Sequence, residues 1–276
     1  MDRIQIEPIA AFKDNYIWMM HDGERAVVVD PGTFAPVIKA LDSKGLELGA
    51  ILLTHLHYDH NLGVPGLLER TPVPVIGPFL NDHDRMTHPP FPKPGTVPLD
   101  CVTHVVGEGD TITLESVGLE FTVLAVPGHT LGHLAFVEQR RGWLFCGDTL
   151  FAGGCGKVFG GSMENMIRSL DRLGALPDHT SVYCAHEYTL NNLKFAMAVE
   201  PGNKALAKRM VDVEKKRSRN LPTVPSTIAL ELETNPFLRV MEREVLDSLR
   251  YHRGIIPRTR TQGFEALRNW KNEFVA

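Results

Sequence analysis

The 276-residue sequence has no apolar run approaching the roughly 20 residues that a membrane-spanning helix needs. It has only four cysteines, scattered along a chain too long to depend on disulfide bonds. No basic segment followed by an apolar run opens it, so we expect no secretory signal. With 43% hydrophobic and 22% charged residues, the composition excludes collagen-like and disordered classes. We therefore expect a globular, water-soluble, cytoplasmic protein without membrane association.

Charge is unevenly distributed along the chain. Residues 1–187 contain 13 lysines and arginines against 23 acidic residues, a net charge of −10. Residues 188–276 contain 16 against 10, a net charge of +6, and the whole chain has −4. This basic tail, residues 188–276, is compatible with binding the anionic groups of a substrate or a nucleic acid. Basic runs such as 204–219, however, are more often solvated helix faces.

Short apolar segments separated by glycine and proline fill the first two thirds of the chain. Segments 26–30 and 51–54 are rich in β-forming residues and run into polar loops, which predicts buried strands. The alternating stretch 3–9 predicts another strand. Further strands are expected at 119–126, 133–137, 143–146 and 182–185, and helices at 35–46, starting after Pro36, and at 163–173. This irregular alternation favours an α/β fold.

The last third of the chain has helical periodicity. Helices are expected within 190–199, 204–219, 242–249 and 263–274. Between them, 221–236 contains three prolines and is predicted to be an ordered loop. A second, proline-rich loop is predicted at 79–104, and we interpret its His83, His88 and His104 as surface residues.

The strongest chemical signal follows the predicted strand at 51–54. His55, His57, Asp59 and His60 are four metal-binding side chains within six residues. A helix would scatter them around its axis and a strand would oppose His60 to the others, so a loop is the conformation that brings them together. Imidazole with carboxylate suits zinc, iron or manganese rather than calcium.

Three later positions, His129, Asp148 and His186, also stand just beyond predicted strands, where loops gather into sites. Five histidines and two aspartates exceed the needs of one tetrahedral ion with an open position. Two adjacent divalent ions are the economical interpretation. Such ions sit ~3.5–4 Å apart and lower the pKa of a shared water towards ~7.

These residues, in this order, resemble the metallo-β-lactamase-fold hydrolases and, within them, the glyoxalase II family of hydroxyacylglutathione hydrolases. The closer resemblance extends over nearly the whole chain, including the tail. It rests on segments 14–16 (DNY), 147–151 (GDTLF), 153–157 (GGCGK), 186–196 (HEYTLNNLKFA), 200–203 (EPGN), 222–227 (PTVPST) and 235–237 (NPF).

The resemblance implies a four-layer αββα sandwich over residues 1–187, followed by a smaller α-helical, substrate-binding domain over 188–276. It implies two divalent ions, zinc first and iron or manganese as alternatives. One ion would be held by His55, His57 and His129, and the other by Asp59, His60 and His186. Asp148 would bridge the two ions.

The family cleaves S-D-lactoylglutathione to D-lactate and glutathione in methylglyoxal detoxification, by attack of a metal-bridging hydroxide on the thioester. Asp59 and Asp148 are the implied catalytic residues. The family pattern places Lys157, Tyr188, Arg268 and Lys271 around the anionic glutathione. Phe159 stands where some members have a tyrosine that binds glutathione, so that contact is expected to be lost. We expect a monomer with this small-molecule substrate and no nucleic-acid partner.

Three other functions are weighed against this one: a mononuclear iron dioxygenase acting on glutathione persulfide, a nucleic-acid-processing enzyme, and a non-catalytic binding module. The complete second ligand set argues against the first, the acidic body against the second, and the undamaged ligand positions against the third. Two residues outside the ligand set also attract attention. His133 is interpreted as a packing or supporting residue, and Asp30 either as support for the ligand loop or as a simple turn residue.

Overall fold

The computed structural model of the protein describes residues 4–79 and 101–275. Most of the predicted loop at 79–104, with His83 and His88, lies outside the described residues. The strands are β1 (Gln5–Ala11), β2 (Asn15–His21), β3 (Arg25–Val29), β4 (Glu47–Leu52), β5 (Val75–Gly77), β6 (His104–Val105), β7 (Thr111–Leu114), β8 (Leu119–Ala125), β9 (Leu134–Glu138), β10 (Trp143–Gly147), β11 (Leu150–Phe151), β12 (Gly154–Cys155), β13 (Ser181–Cys184) and β14 (Ser226–Thr227). The helices are α1 (Ala35–Lys44), α2 (Tyr58–Asn61), α3 (Val64–Arg70), α4 (Met163–Gly174), α5 (Thr189–Val199), α6 (Lys204–Arg217), α7 (Ile228–Thr234), α8 (Arg243–Arg253) and α9 (Arg260–Glu273).

Two six-stranded sheets form the body. The first has the order β1-β2-β3-β4-β5-β6 and is parallel from β3 onwards, while β1, β2 and β3 are antiparallel. The second has the order β14-β13-β10-β9-β8-β7, and only its β10–β13 pair is parallel. Strands β11 and β12 form a separate two-stranded hairpin.

The apolar segments of β3 and β4 are continuous because both faces of the first sheet are covered. Val27 and Val29 point into the apolar cluster that lies between the sheets. Ala26 and Val28, which alternate with them, join a second cluster that contains residues of α1 and α3. The sequence signal of an unbroken apolar run therefore reflects a strand buried on two sides.

The cluster between the sheets continues into the tail. It contains Phe121, Phe136 and Phe145 of the second sheet and also Phe237 and Phe264 of the tail, all fully buried. The predicted α/β class, an αββα sandwich followed by helices, is confirmed. Within the described residues, no helix is both long and apolar enough to cross a membrane.

The prediction of a loop over 221–236 was wrong for the centre of this segment. This segment contains β14, which adds to the second sheet beside β13, and the short helix α7. The Thr227 side chain accepts a hydrogen bond from Leu230 N and caps α7. A seven-residue helix between prolines is too short to show helical periodicity, and its burial depends on partners distant in sequence. The helix predicted to start after Pro36 begins at Ala35, with the proline in its first turn.

Candidate metal centre and substrate cleft

The structure brings all seven predicted ligand side chains together at the ends of strands. Each of these side chains lies in a segment that follows a strand of one of the two sheets, so the segments meet at one edge of the sandwich. His55 and His57 follow β4, Asp59 and His60 lie in α2, and His129, Asp148 and His186 follow β8, β10 and β13.

The first group consists of His55, His57 and His129, all buried. His57 Nδ1 lies 3.0 Å from His55 Nε2 and 2.9 Å from His129 Nε2. Nitrogens that bind one zinc at tetrahedral positions are about 3.3 Å apart, because Zn–N bonds are about 2.0–2.1 Å long. These two distances are therefore close to the separation that a shared ion requires, and all three ligand atoms lie within 4.8 Å of one another.

The second group consists of Asp59, His60 and His186. Asp59 Oδ2 lies 3.6 Å from His60 Nε2 and 3.5 Å from His186 Nε2. The two histidines are buried, whereas Asp59 is only half-buried and lines a cleft. This group could hold a second ion that remains accessible from the cleft.

Asp148 lies between the two groups. Its Oδ2 is 3.4 Å from His129 Nε2 in the first group. Its Oδ1 is 3.6 Å from His60 Nε2 and 3.4 Å from His186 Nε2 in the second. One carboxylate thus offers one oxygen to each group, which is the arrangement that a bridging ligand requires.

The donor atoms fit divalent ions. His60 Nε2 and Asp148 Oδ1 are buried without a hydrogen-bond partner in the described part of the chain. Buried polar atoms are nearly always paired, so these two require a ligand that accepts lone pairs. Imidazole nitrogens together with carboxylate oxygens are the donors that zinc and iron bind.

The opposite ring nitrogens of three of these histidines are held by the protein. Asp14 Oδ1 lies 2.9 Å from His186 Nδ1, and the Lys157 carbonyl oxygen accepts a hydrogen bond from His129 Nδ1 at 2.7 Å. Asp30 Oδ2 lies 3.1 Å from His60 Nδ1. Such contacts fix the tautomer and orientation of a metal-binding imidazole.

Asp30 also accepts hydrogen bonds from Thr54 N at 2.8 Å and from Thr54 Oγ1 at 2.7 Å. Thr54 Oγ1 in turn lies 3.1 Å from His55 Nδ1. Of the two interpretations of Asp30, the structure favours support of the ligand loop over a simple turn residue. His133 stacks on His55 at 4.5 Å and accepts a hydrogen bond from Asp148 N, which agrees with a supporting position.

The electrostatics of the second group favour positive charge on its two histidines. Burial disfavours the imidazolium of His60, but the surrounding carboxylates, led by Asp59, raise its pKa to about 9. Burial acts likewise on His186, and carboxylates led by Asp148 raise its pKa to about 10. Burial would raise the pKa of Asp148, but His186 and His60 hold it well below its usual range. Metal ions compete with protons for such donors, so binding an ion would release protons.

Glycine is required immediately before Asp148. Gly147 has a φ of +48°, and a Cβ there would stand 2.3 Å from Thr54 Oγ1 and 2.9 Å from His133 Cε1. Left-handed backbone and this close approach both exclude larger residues. The turn can therefore point the Asp148 carboxylate between the two histidine groups.

A cleft of about 710 Å³ opens over the metal centre. Its walls include Asp59 and Asp148, and also the four side chains predicted to hold glutathione, which are Lys157, Tyr188, Arg268 and Lys271. The Tyr188 ring stacks on His186, with centroids 4.6 Å apart. Phe159 contacts the rings of His57 and His129 edge-on. Five of the seven predicted metal ligands and all four predicted glutathione-binding residues thus line one cavity.

The four residues predicted to bind glutathione differ in their surroundings. Arg268 is buried, and its Nη1 donates to the Cys155 carbonyl at 3.0 Å. Lys271 Nζ donates to the backbone carbonyl of Asn191 at 3.1 Å, and burial and Arg268 lower its pKa to about 8. Lys157 is exposed at the rim. Arg268 lines the cleft, and its Nη2 donates to no group of the described residues.

Sequence reasoning did not assign three residues of the site: Asp14, Asn15 and Thr54. Asn15 Nδ2 donates to Asp59 Oδ2 at 3.0 Å and so orients a ligand carboxylate. Asp14 and Asn15 belong to the 14–16 segment already used for the family resemblance, and that segment was the available signal. Thr54 had no signal of its own beyond its place before His55.

Two family models together match almost the whole chain. The metallo-beta-lactamase superfamily model matches residues 12–186, and the model of the hydroxyacylglutathione hydrolase C-terminus matches residues 187–274. Among curated relatives, the hydroxyacylglutathione hydrolase of Cupriavidus taiwanensis is 49% identical over 275 residues, covering 98% of this chain and 99% of the relative. That of Nitrosomonas eutropha is 44% identical over 271 residues, with coverage of 98% and 99%.

Solved structures agree on the fold. ETHE1 from Myxococcus xanthus aligns with a TM-score of 0.60 and 23% identity over 96% of this chain and 97% of that chain. TTHA1623, crystallised in a di-iron-bound form, aligns with a TM-score of 0.57 and 26% identity over 85% and 100%. Since both family models and full-length relatives agree, this chain belongs to the hydroxyacylglutathione hydrolase family of metallo-β-lactamase-fold enzymes.

Proposed function

We propose that this enzyme hydrolyses S-D-lactoylglutathione to D-lactate and glutathione, a step in methylglyoxal detoxification. The observation that carries the proposal is the position of Asp148, with one oxygen near each histidine group in a cleft also lined by cationic side chains. Full-length relatives named hydroxyacylglutathione hydrolase support the same substrate.

In this proposal the two groups would hold two divalent ions, and Asp148 would offer one oxygen to each group. His55, His57 and His129 form one site, and Asp59, His60 and His186 the other. When bound, the ions would supply hydroxide at neutral pH, because divalent ions lower the pKa of water from about 15.7 towards ~7, and positive charge for the developing oxyanion. Zinc is the proposed metal, with iron or manganese as alternatives.

The protein's own residues position the reactants. Asn15 holds Asp59 so that its carboxylate faces the cleft and can accept a hydrogen bond from the attacking nucleophile. The new C–O bond forms at the acyl carbon, and the C–S bond breaks with its electron pair leaving on sulfur. A thiolate is a good leaving group, so no strong general acid is required.

Cations and one tyrosine would hold the glutathione moiety. Glutathione has two carboxylates and one ammonium group. Arg268 and Lys271 lie on one face of α9, three residues apart, and both reach the cleft. We propose that they bind one carboxylate, while Lys157 and Tyr188 contact the peptide.

The proposal extends to the organisation of the chain. We propose a catalytic domain over 1–187 and a substrate-binding domain over 188–276, a division that the limits of the two family models support. We also propose a cytoplasmic monomer that binds no nucleic acid. Three cysteines, Cys146, Cys155 and Cys184, are buried thiols outside any disulfide bond, as expected in a reducing compartment. Light scattering of the purified protein would test the monomer.

The decisive experiment uses purified protein with its metals measured by elemental analysis. We expect about two ions per chain and release of free thiol from S-D-lactoylglutathione. An oxygen ester, a β-lactam and a phosphodiester serve as comparison substrates. An intact thioester alongside rapid hydrolysis of one of these would overturn the proposal. Oxygen consumption with glutathione persulfide at one iron per chain would instead favour the dioxygenase alternative.

A further inference from the structure

The β11–β12 hairpin is held by side chains of the tail at every residue from 151 to 155. Asn235 Nδ2 donates to the carbonyls of Phe151 at 3.3 Å and of Gly154 at 2.9 Å. Gly153 N donates to Glu231 Oε2 at 2.7 Å. Two further side chains complete the set, with Asn192 Nδ2 donating to Ala152 O at 3.2 Å and Arg268 Nη1 to Cys155 O at 3.0 Å.

The hairpin needs this support. Its strands pair at only two positions and join neither large sheet. A two-stranded ribbon of this length is not stable on its own in water. The tail contacts therefore contribute to holding its backbone in place, together with the burial of Leu150 and Phe151 in the core.

Glu231 is the centre of these contacts. Its side chain is fully buried, and Arg209 and Ser226 donate to its Oε1. Its Oε2 accepts from Gly153 N and also from Asn235 Nδ2 at 2.9 Å. A buried arginine–glutamate pair of the tail is thus bonded to the backbone of the hairpin.

Both ends of the hairpin lead directly to the metal centre. Asp148 precedes β11 by two residues, and Gly156 N donates to Thr149 O at 3.2 Å just beyond β12. The carbonyl of Lys157, two residues beyond β12, accepts the hydrogen bond from His129 Nδ1. A displacement of the hairpin would therefore move the bridging carboxylate and release one imidazole.

We propose that Glu231 is a positioning residue for the metal centre, acting through Gly153 and the β11–β12 hairpin, so that the tail holds the metal ligands as well as the substrate. The proposal rests on the metal sites proposed above. It assigns to Arg209 the task of keeping the Glu231 carboxylate in place. Neither residue touches the cleft that holds the substrate.

The test compares Glu231→Gln with Glu200→Gln as a matched control. Glu200 is also a buried tail carboxylate paired with an arginine, and its carboxylate hydrogen bonds within the described residues go to Arg239. None of these hydrogen bonds goes to the hairpin. Both variants lose a buried charge, so a general loss of stability, measured by urea unfolding, affects both.

Zinc retention is measured by titrating each loaded protein with a chelator, and kcat and KM are measured separately. Substitution of a residue that orients a metal ligand typically lowers the affinity for the metal by about 10–100-fold. For Glu231→Gln we expect a loss of zinc affinity of at least about tenfold and a lower kcat with little change in KM. Glu200→Gln should retain zinc like the unaltered protein. Equal zinc retention in both variants would overturn the proposal.

Arg209→Lys provides a second variant in case Glu231→Gln does not fold. It keeps a positive charge beside Glu231 but loses the planar fork. We expect the same weakening of zinc retention in smaller degree, and unchanged retention in a folded Arg209→Lys protein would also contradict the proposal. Because zinc retention does not depend on the substrate, a protein without thioesterase activity would overturn the proposed function and leave this test intact.

Discussion

Asp30 Oδ2 lies 3.1 Å from His60 Nδ1, so a buried carboxylate at the end of β3 orients an imidazole in α2. The opposite nitrogen of that ring, Nε2, lies 3.6 Å from both Asp59 Oδ2 and Asp148 Oδ1. The two ring nitrogens of His60 thus connect the end of β3 to the site of the proposed second ion.

Asp30→Asn should weaken the second ion selectively. An amide in place of the carboxylate supports the orientation of His60 less well, and we expect a loss of about 10–100-fold in affinity for that ion. Elemental analysis after dialysis against a chelator would measure it. Asp22→Asn is the control, because Asp22 accepts hydrogen bonds only in an exposed turn of the described chain. Equal retention of two ions in both proteins would contradict the expectation.

Asp148→Ala should abolish turnover. The substitution removes the oxygens that approach both histidine groups, so the pair of ions is expected to disperse. Metal content and the rate of thioester cleavage are the measurements. Two retained ions with a near-normal rate would refute the bridging assignment.

Arg268→Ala should weaken substrate binding. A hydrogen bond to a charged group is worth ~1.5–3 kcal/mol, which corresponds to an increase in KM of about tenfold or more. The metal content should be unchanged, since Glu231 still accepts hydrogen bonds from Gly153 N and from Asn235, which holds the hairpin on both strands. An unchanged KM would show that Arg268 has only a structural role, through its hydrogen bond to Cys155.

The affinity for glutathione thioesters should fall above pH 8. Burial and the neighbouring Arg268 lower the pKa of Lys271 to about 8, so the ammonium is present below that pH and is lost as the pH rises through it. A carboxylate binds the charged form, and KM is therefore expected to rise with pH in this range. Lys271→Arg should abolish this rise, because arginine stays charged. A pH dependence of KM that is identical in the arginine variant would exclude Lys271 as its origin.

Much of the architecture was predictable because its signals are local. The apolar runs at 26–30 and 51–54 correspond to β3 and β4, and the tail helices appear where periodicity placed them. Segment 221–236 was misjudged because α7 is short and is stabilised by Arg209, more than twenty residues away. Its prolines dominated the local pattern.

The sequence alone determined the chemistry of the centre. Imidazoles and carboxylates standing directly after apolar strands are a local pattern, and strand ends must meet at the edges of sheets. Only the tertiary structure decided that Asp148 offers one oxygen to each group and that Asp30 supports His60. It alone revealed the tail's hold on the hairpin, where Arg268 and Cys155 are 113 residues apart. Such contacts depend on how distant segments pack, and no local pattern of residues encodes that packing.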